Sequence, residues 1–225
     1  MEANSLTRLD VEPRLTSDIF GYILSQTAGK TVLNVGAAGG VQEYLPHNRE
    51  IWLHHRLGRT SRELVGTDID EDRIEHARKH GVEILRLDCE VMQLGRDFDA
   101  IVMSDVVEHL DGPVRAICNL MRHLAPGGRM YLTTPNPTAF NAFARVLLRR
   151  ELNVFWDHVS CYLPEHIQTI CDRHGYCMKE LRFFDHIDRQ SVSNQFKSYL
   201  AKAASRINPR WATAFLAVIE KRPVA

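Results

Sequence analysis

From Thr31 onward the chain alternates short β-like runs with longer helical stretches, and this alternation constrains the fold more than any other feature. TVLNVG (31–36), ELVGTDI (63–69), VEILRLD (82–88), FDAIVMSD (98–105) and GRMYLTTP (128–135) are rich in Val, Ile, Leu or aromatics. Each is short and bounded by Gly, Asp or Pro, as strands are. Between them, DEDRIEHARKHG puts Ile74 and Ala77 at helical spacing and Gly81 at the stop. GPVRAICNLMRHLAPGG repeats the design, with Val114, Ile117, Leu120, Met121 and Leu124 as an apolar stripe ended by Pro126 and Gly127. Such alternation predicts parallel strands, right-handed crossovers and helices on both faces. MKELRFF (178–184) and ATAFLAVIEK (212–221) add two strands with no clean strand between them, so the last is expected to pair antiparallel with its predecessor. SNQFKSYLAKAASRI (193–207) reads as a helix, and residues 1–28 as one or two helices capped at Thr16 or Ser17. The expected fold class is α/β: a doubly wound, seven-stranded, mostly parallel sheet with an antiparallel last strand.

A chain of 225 residues fits one such domain, 1–225, with modest insertions. Its 28 basic residues balance 28 acidic ones, which argues against nucleic acid as the main ligand. Arg145, Arg149 and Arg150 form the best local basic cluster. No apolar run is long enough to span a bilayer, and the N-terminus MEANSLTRLDVEPRL lacks the apolar core of a secretory signal. The five cysteines are scattered and form no CxxC. A reduced, cytoplasmic protein is expected.

In an open doubly wound sheet, ligands bind beyond the carboxyl ends of the strands, where strand order reverses. Four such segments carry suggestive residues. VLNVGAAGG leads through Gly36, Ala38 and Gly40 into a helix; small residues there let the backbone approach a ligand, or simply make a tight turn. The nicotinamide form G-x-G-x-x-G is not met, because its last position is Val41. In GTDID, Asp68 ends a strand where a carboxylate can hold both hydroxyls of a ribose, while Asp70 is the better helix cap. In LDCE, Asp88 ends the next strand, with Cys89 beside it. In FDAIVMSDVVEHL, Asp105, Glu108 and His109 share one face of a short helix. They read either as a metal or acid–base cluster or, for Asp105 and Glu108, as a capping box, which is the weightier reading. Whether a metal binds stays open.

These residues together resemble the class I S-adenosylmethionine-dependent methyltransferases, which have a Rossmann-like fold. VLNVGAAGG is similar to their first motif, an acid followed by G-x-G-x-G; GTDID resembles the ribose motif and LDCE the adenine motif. FDAIVMSDVVEHL and LAPGGRMYLTTPNP resemble the later motifs of the branch holding ubiquinone-biosynthesis O-methyltransferases and glycan or natural-product methyltransferases. The match runs in order over roughly 30–185, and FLAVIEK suits the closing hairpin. The resemblance implies S-adenosylmethionine as cofactor. Gly36, Ala38 and Gly40 would wrap its methionine portion and Asp68 would hold the ribose. Ile69 would pack on the adenine, Asp88 and Cys89 would meet its amine, and Ser104 would lie near the sulfonium. Asn34 stands where the family has an acid, and Ala38 where it has the middle glycine. Ala38 suits a turn with φ below zero, and Asn34 can still accept a hydrogen bond.

The implied function is O-methylation of a small-molecule or saccharide hydroxyl, which needs a base or a metal for the acceptor proton. His109 and His158 are the residues expected in that role; His158 lies in FWDHVSCYLPEHI, similar to the family's H-V-x-x-[FY] turn. Residues 136–160 carry an insertion rich in Phe, Leu and Arg, expected to be a lid over an apolar or glycan acceptor. Its alternatives are packing on the sheet, on a second copy of the chain in a homodimer, or on a membrane surface. A second insertion, LPHNREIWLHHRLGRTSREL, lengthens the first crossover. The competing functions are a cofactor-binding regulator or scaffold without transfer activity, which Asn34 favours, and a macromolecular methyltransferase. The second is disfavoured because S-D-V-V-E-H stands where amine-methylating DNA enzymes carry N/D-P-P-Y/F.

Overall fold

The computed structural model describes residues 6–148, 150–152, 154–185 and 202–223. The chain divides into two compact units, Phe20–Leu132 and Met1–Ile19 with Thr133–Ala225.

In the first unit, β2 (Thr31–Val35) is followed by α2 (Val41–Tyr44), α3 (Leu53–Thr60), β3 (Glu63–Asp68), α4 (Glu71–Lys79) and β4 (Leu85–Arg86). Then come β5 (Phe98–Ser104), α5 (Pro113–Arg122) and β6 (Leu124–Pro135), whose last residues pass into the second unit. The strand order is β6-β5-β2-β3-β4, and β2 pairs parallel with β3 and with β5. The chain therefore builds outward from β2 in one direction and then crosses back to build in the other. That reversal beside β2 is the switch point at which such sheets hold ligands. Val32 to Val35 are all buried, as expected of a central strand covered on both faces.

The local signals work as their chemistry requires. Asp70 caps α4, its side chain accepting from Arg73 N at 3.0 Å. Past the helix, Gly81 takes φ 75°, and Gly81 N and Val82 N bond back to Arg78 O and Ala77 O. Ile74 and Ala77 of α4 pack with Ala37, Ala38, Val41, Leu45 and Trp52, so the first crossover is pinned to the turn after β2.

In the second unit, β1 (Pro13–Leu15) pairs parallel with β7 (Tyr176–Phe184), and β8 (Ala214–Lys221) pairs antiparallel with β7. The antiparallel last strand matches expectation. The remaining helices are α1 (Ile19–Thr27), which leads from this unit into the first, α6 (Phe140–Leu147) and α7 (Pro164–His174).

Several expectations need correction. The described residues hold eight strands rather than seven, because Pro13–Leu15, expected to be helical, is an edge strand. Pro13 has no N–H to give a ladder and sits at the strand's first residue, where that loss is tolerated. The helix after it starts at Ile19, directly following Asp18 rather than Thr16 or Ser17. The strand expected over 82–88 is only Leu85–Arg86. The helix ending expected at Pro126 and Gly127 comes at Arg122, and Leu124 already belongs to β6. The helix expected over 193–207 is seen at 202–207; its earlier part lies outside the described residues.

Candidate functional site at the carboxyl ends of β2, β3 and β4

The turn after β2 is built from backbone conformations that side chains would block. Gly36 has φ 71°, and a Cβ there would collide with Val106. Gly40 has φ 67° and lies against the Tyr44 ring. Ala38 is fully buried and lacks a positive φ, so replacing the family's middle glycine costs nothing in backbone strain. Gly39 N bonds to Gly36 O and Val41 N to Ala38 O, each at 3.1 Å, which closes the turn. The helix it enters, α2, is only four residues long, so its dipole is far weaker than the sequence pattern promised.

Asp68 ties this turn to β3. Its Oδ2 accepts from Ala38 N at 2.8 Å, and its Oδ1 accepts from Ile69 N at 2.8 Å and Asp70 N at 3.1 Å. Asp68 is thus less free than the sequence suggested. It is nonetheless half-buried rather than enclosed, and Oδ2 takes a single bond, so acceptor capacity remains for hydroxyl donors. Ile69, next to it, leaves 63% of its surface exposed, unusual for an isoleucine and suited to a flat ring.

Leu87 N bonds to Asp68 O at 2.9 Å, bringing Asp88 alongside. Asp88 is exposed; its Oδ1 accepts from Glu90 N at 2.8 Å. Cys89 is buried, and burial, with help from the Asp88 and Glu90 carboxylates, pushes its thiol up to about 12. The thiol is therefore neutral, and only its backbone can serve a ligand. Asn119 of α5, buried, donates to Cys89 O at 3.0 Å and to Met92 O at 2.9 Å. Glu90 in turn accepts from Gly112 N at 2.8 Å. The loop's shape is held by these three bonds, none of which has a sequence signal.

At the end of β5, Ser104 Oγ lies 3.4 Å from Asp105 Oδ2. Asp105 has φ 52°, the one non-glycine residue with positive φ among those described. That conformation removes it from the capping position, which falls to Val106 with no side-chain bond. Asp105, expected as the first residue of a capping box with Glu108, thus lies one residue before the observed N-cap. A non-glycine residue in the left-handed region costs of order 1 kcal/mol and clusters at functional sites. His109 closes the short 3-10 segment Val107–His109, and Glu108 within it is buried.

His158 belongs to the other unit, half-buried, with its ring 5.2 Å from that of Phe155. The stretch around it is unusually apolar at the surface: Val154, Phe155, Trp156 and Val159 are all exposed. Of the expected basic cluster, Arg149 lies outside the described residues.

Asn34, at the inner end of β2, is buried and donates from Nδ2 to His54 Nδ1 at 3.1 Å. Burial, with His55 nearby, lowers the His54 pKa to about 4. His54 comes from α3, in the first-crossover insertion, and was not singled out from the sequence. Its only signal is indirect: an amide buried in a central strand needs a partner.

A family model described as a methyltransferase domain matches residues 11–181. The chain belongs to that methyltransferase family. It is similar to the mitochondrial ubiquinone biosynthesis O-methyltransferase of Schizosaccharomyces pombe, 24% identical over 177 residues covering 69% of this chain and 61% of that one. It thus spans about three-fifths of the length of that relative. Among solved structures, a SAM dependent methyltransferase from Archaeoglobus fulgidus superposes with a TM-score of 0.59 at 16% identity, covering 90% of this chain and 91% of the other. The N-methyltransferase NodS from Bradyrhizobium japonicum WM9, in complex with S-adenosyl-L-homocysteine, does so with 0.54 at 19% identity, covering 89% and 82%. At those identities the likeness is one of fold. The residues of the turn, Asp68, Ile69 and Asp88 fit the cofactor of this methyltransferase family: an acceptor for hydroxyls, an apolar platform and a second carboxylate lie at adjoining strand ends.

Proposed function

We propose that this chain is an S-adenosylmethionine-dependent methyltransferase acting on a hydroxyl of a small molecule or saccharide. The observation that carries the reading is Asp68, whose carboxylate holds the β2 turn through Ala38 N and keeps acceptor capacity toward a ribose. In this reading Gly36, Ala38 and Gly40 wrap the methionine end, with Asn34 below them. Asp68 takes the ribose hydroxyls, Ile69 covers the adenine, and Asp88 and the Cys89 backbone receive the exocyclic amine. Ser104 faces the sulfonium side. The bound cofactor supplies an electrophilic methyl group. What remains for the protein is to align the acceptor oxygen and to take its proton as the new bond forms, a role assigned to His109 or His158. A hydroxyl acceptor is favoured because the S. pombe relative is named an O-methyltransferase. The apolar surface of 136–160, proposed as a lid insertion within a single methyltransferase domain, suits an acceptor with an apolar body.

Calorimetric titration with S-adenosylmethionine and with NADH tests the cofactor. Micromolar binding of the first, none of the second, and loss in Asp68→Ala is the expected result; a folded protein that binds no S-adenosylmethionine defeats the reading. Turnover on a hydroxyl panel then separates an enzyme from a scaffold. Replacing the true base by Ala lowers kcat by roughly 100-fold or more, and a histidine whose removal leaves kcat unchanged is not the base.

A further inference from the structure

The Asn34–His54 pair departs from a methyltransferase site that uses an acid at this position, and its construction is specific. Asn34 and His54 are both nearly closed to solvent, 4% and 5% exposed. An amide nitrogen only donates, so His54 Nδ1 must accept, and a neutral ring then carries its proton on Nε2. The depressed pKa of His54 agrees with a ring kept neutral. Space for that ring is made by Gly66, the residue paired with Asn34 across β3. A Cβ at Gly66 would come within 2.5 Å of His54 Cε1 and 3.0 Å of the Ala37 side chain. Trp52 flanks the ring, the two centroids 5.1 Å apart. Two strands and α3 thus converge to hold one imidazole against one amide.

With Nδ2 committed to His54, the orientation of the Asn34 amide is decided, and Oδ1 has no partner among the described residues. We propose that His54 is a positioning residue for the methionine end of the cofactor: by accepting from Asn34 Nδ2 it presents Asn34 Oδ1 to the α-ammonium group. A neutral amide–imidazole pair would thereby stand in for a carboxylate. The first-crossover insertion then has a role, delivering His54 beneath the turn. This rests on the cofactor reading above.

The test uses the full chain and two ligands that share adenosine and thioether but differ in the amino-acid end: S-adenosylhomocysteine and 5′-methylthioadenosine. Kd values are measured for wild type, His54→Leu, His54→Asn and Asn34→Ala. His54→Leu and Asn34→Ala are each expected to weaken S-adenosylhomocysteine tenfold or more while moving methylthioadenosine by less than threefold. His54→Asn, whose amide oxygen can take the place of Nδ1, should recover most of the loss. Equal weakening of both ligands would mean a merely structural role and would overturn the proposal, as would unchanged S-adenosylhomocysteine binding in His54→Leu. If His54→Leu does not fold, Asn34→Ala and His54→Asn decide by the same ratio. Failure of wild type to bind either ligand would sink the cofactor reading itself, a result distinguishable from selective failure at position 54.

Discussion

Two residues of the candidate site bear on stability as well as on the proposed recognition, and each yields a measurable consequence. His54 is buried neutral, its folded pKa near 4 against about 6.5 unfolded. The folded state therefore resists a proton that the unfolded chain accepts. The associated stability is fully present above pH 6.5 and is lost as pH falls toward 4, amounting to about 3 kcal/mol. Denaturant unfolding of wild type and His54→Asn between pH 4 and 7 should show a steeper acid loss in wild type; parallel curves would exclude a titrating His54. Gly36 is the other case. An alanine there meets Val106 and must hold φ near +71°. Gly36→Ala is expected to destabilise by about 1–3 kcal/mol and to reduce cofactor binding sharply. A variant with wild-type melting and affinity would mean the turn relaxes freely.

Among the elements, the most informative is the loop after β4. With only two residues in the ladder, β4 gives that loop little support. Asn119, one turn from the end of α5, does so instead by capping the Cys89 and Met92 carbonyls. Asn119→Ala leaves the Cys89 carbonyl without its side-chain donor and the Met92 carbonyl with His123 Nε2 alone, 3.2 Å away, and should cost about 1–3 kcal/mol. In the proposed reading Asp88 and the Cys89 backbone meet the adenine, so the same variant should weaken methylthioadenosine and S-adenosylhomocysteine alike. That pattern is the opposite of the one expected at His54, so calorimetry on both ligands distinguishes the two elements. Loss of stability with unchanged affinity for both would show that the loop does not serve the adenine.

For the whole molecule, balanced charge leaves the apolar surface as the main driver of association. On α6, Phe143, Val146 and Leu147 lie three and four residues apart and are exposed, while Phe140 turns its ring to within 6.0 Å of that of Trp211. Leu148, Leu152, Val154, Phe155, Trp156 and Val159, which follow in the chain, are exposed as well. Such a run exceeds what scattered exposed side chains account for. Sedimentation at rising concentration is expected to show reversible self-association, reduced in a Val146→Ser, Leu147→Ser, Phe155→Ser variant. A strictly monomeric wild type would assign the surface to the acceptor instead. No helix among the described residues is long and apolar enough to cross a membrane.

What could be read from the sequence alone is what depends on neighbours a few positions apart. The strand–helix alternation, the Asp70 cap with Arg73, the Gly81 stop and the Gly36–Gly40 turn all arise from backbone geometry or bonds within one turn of chain. Ordered motifs added the family. Where such local reasoning failed, another part of the chain had intervened. Residues 13–15 pair with β7 instead of forming a helix. The tertiary structure alone decided who satisfies the buried polar groups: Asn34 finds His54 twenty residues away, and the Cys89 carbonyl finds Asn119 thirty away. A buried donor or acceptor must be paired, but the choice of partner belongs to whichever element the fold brings within hydrogen-bond reach.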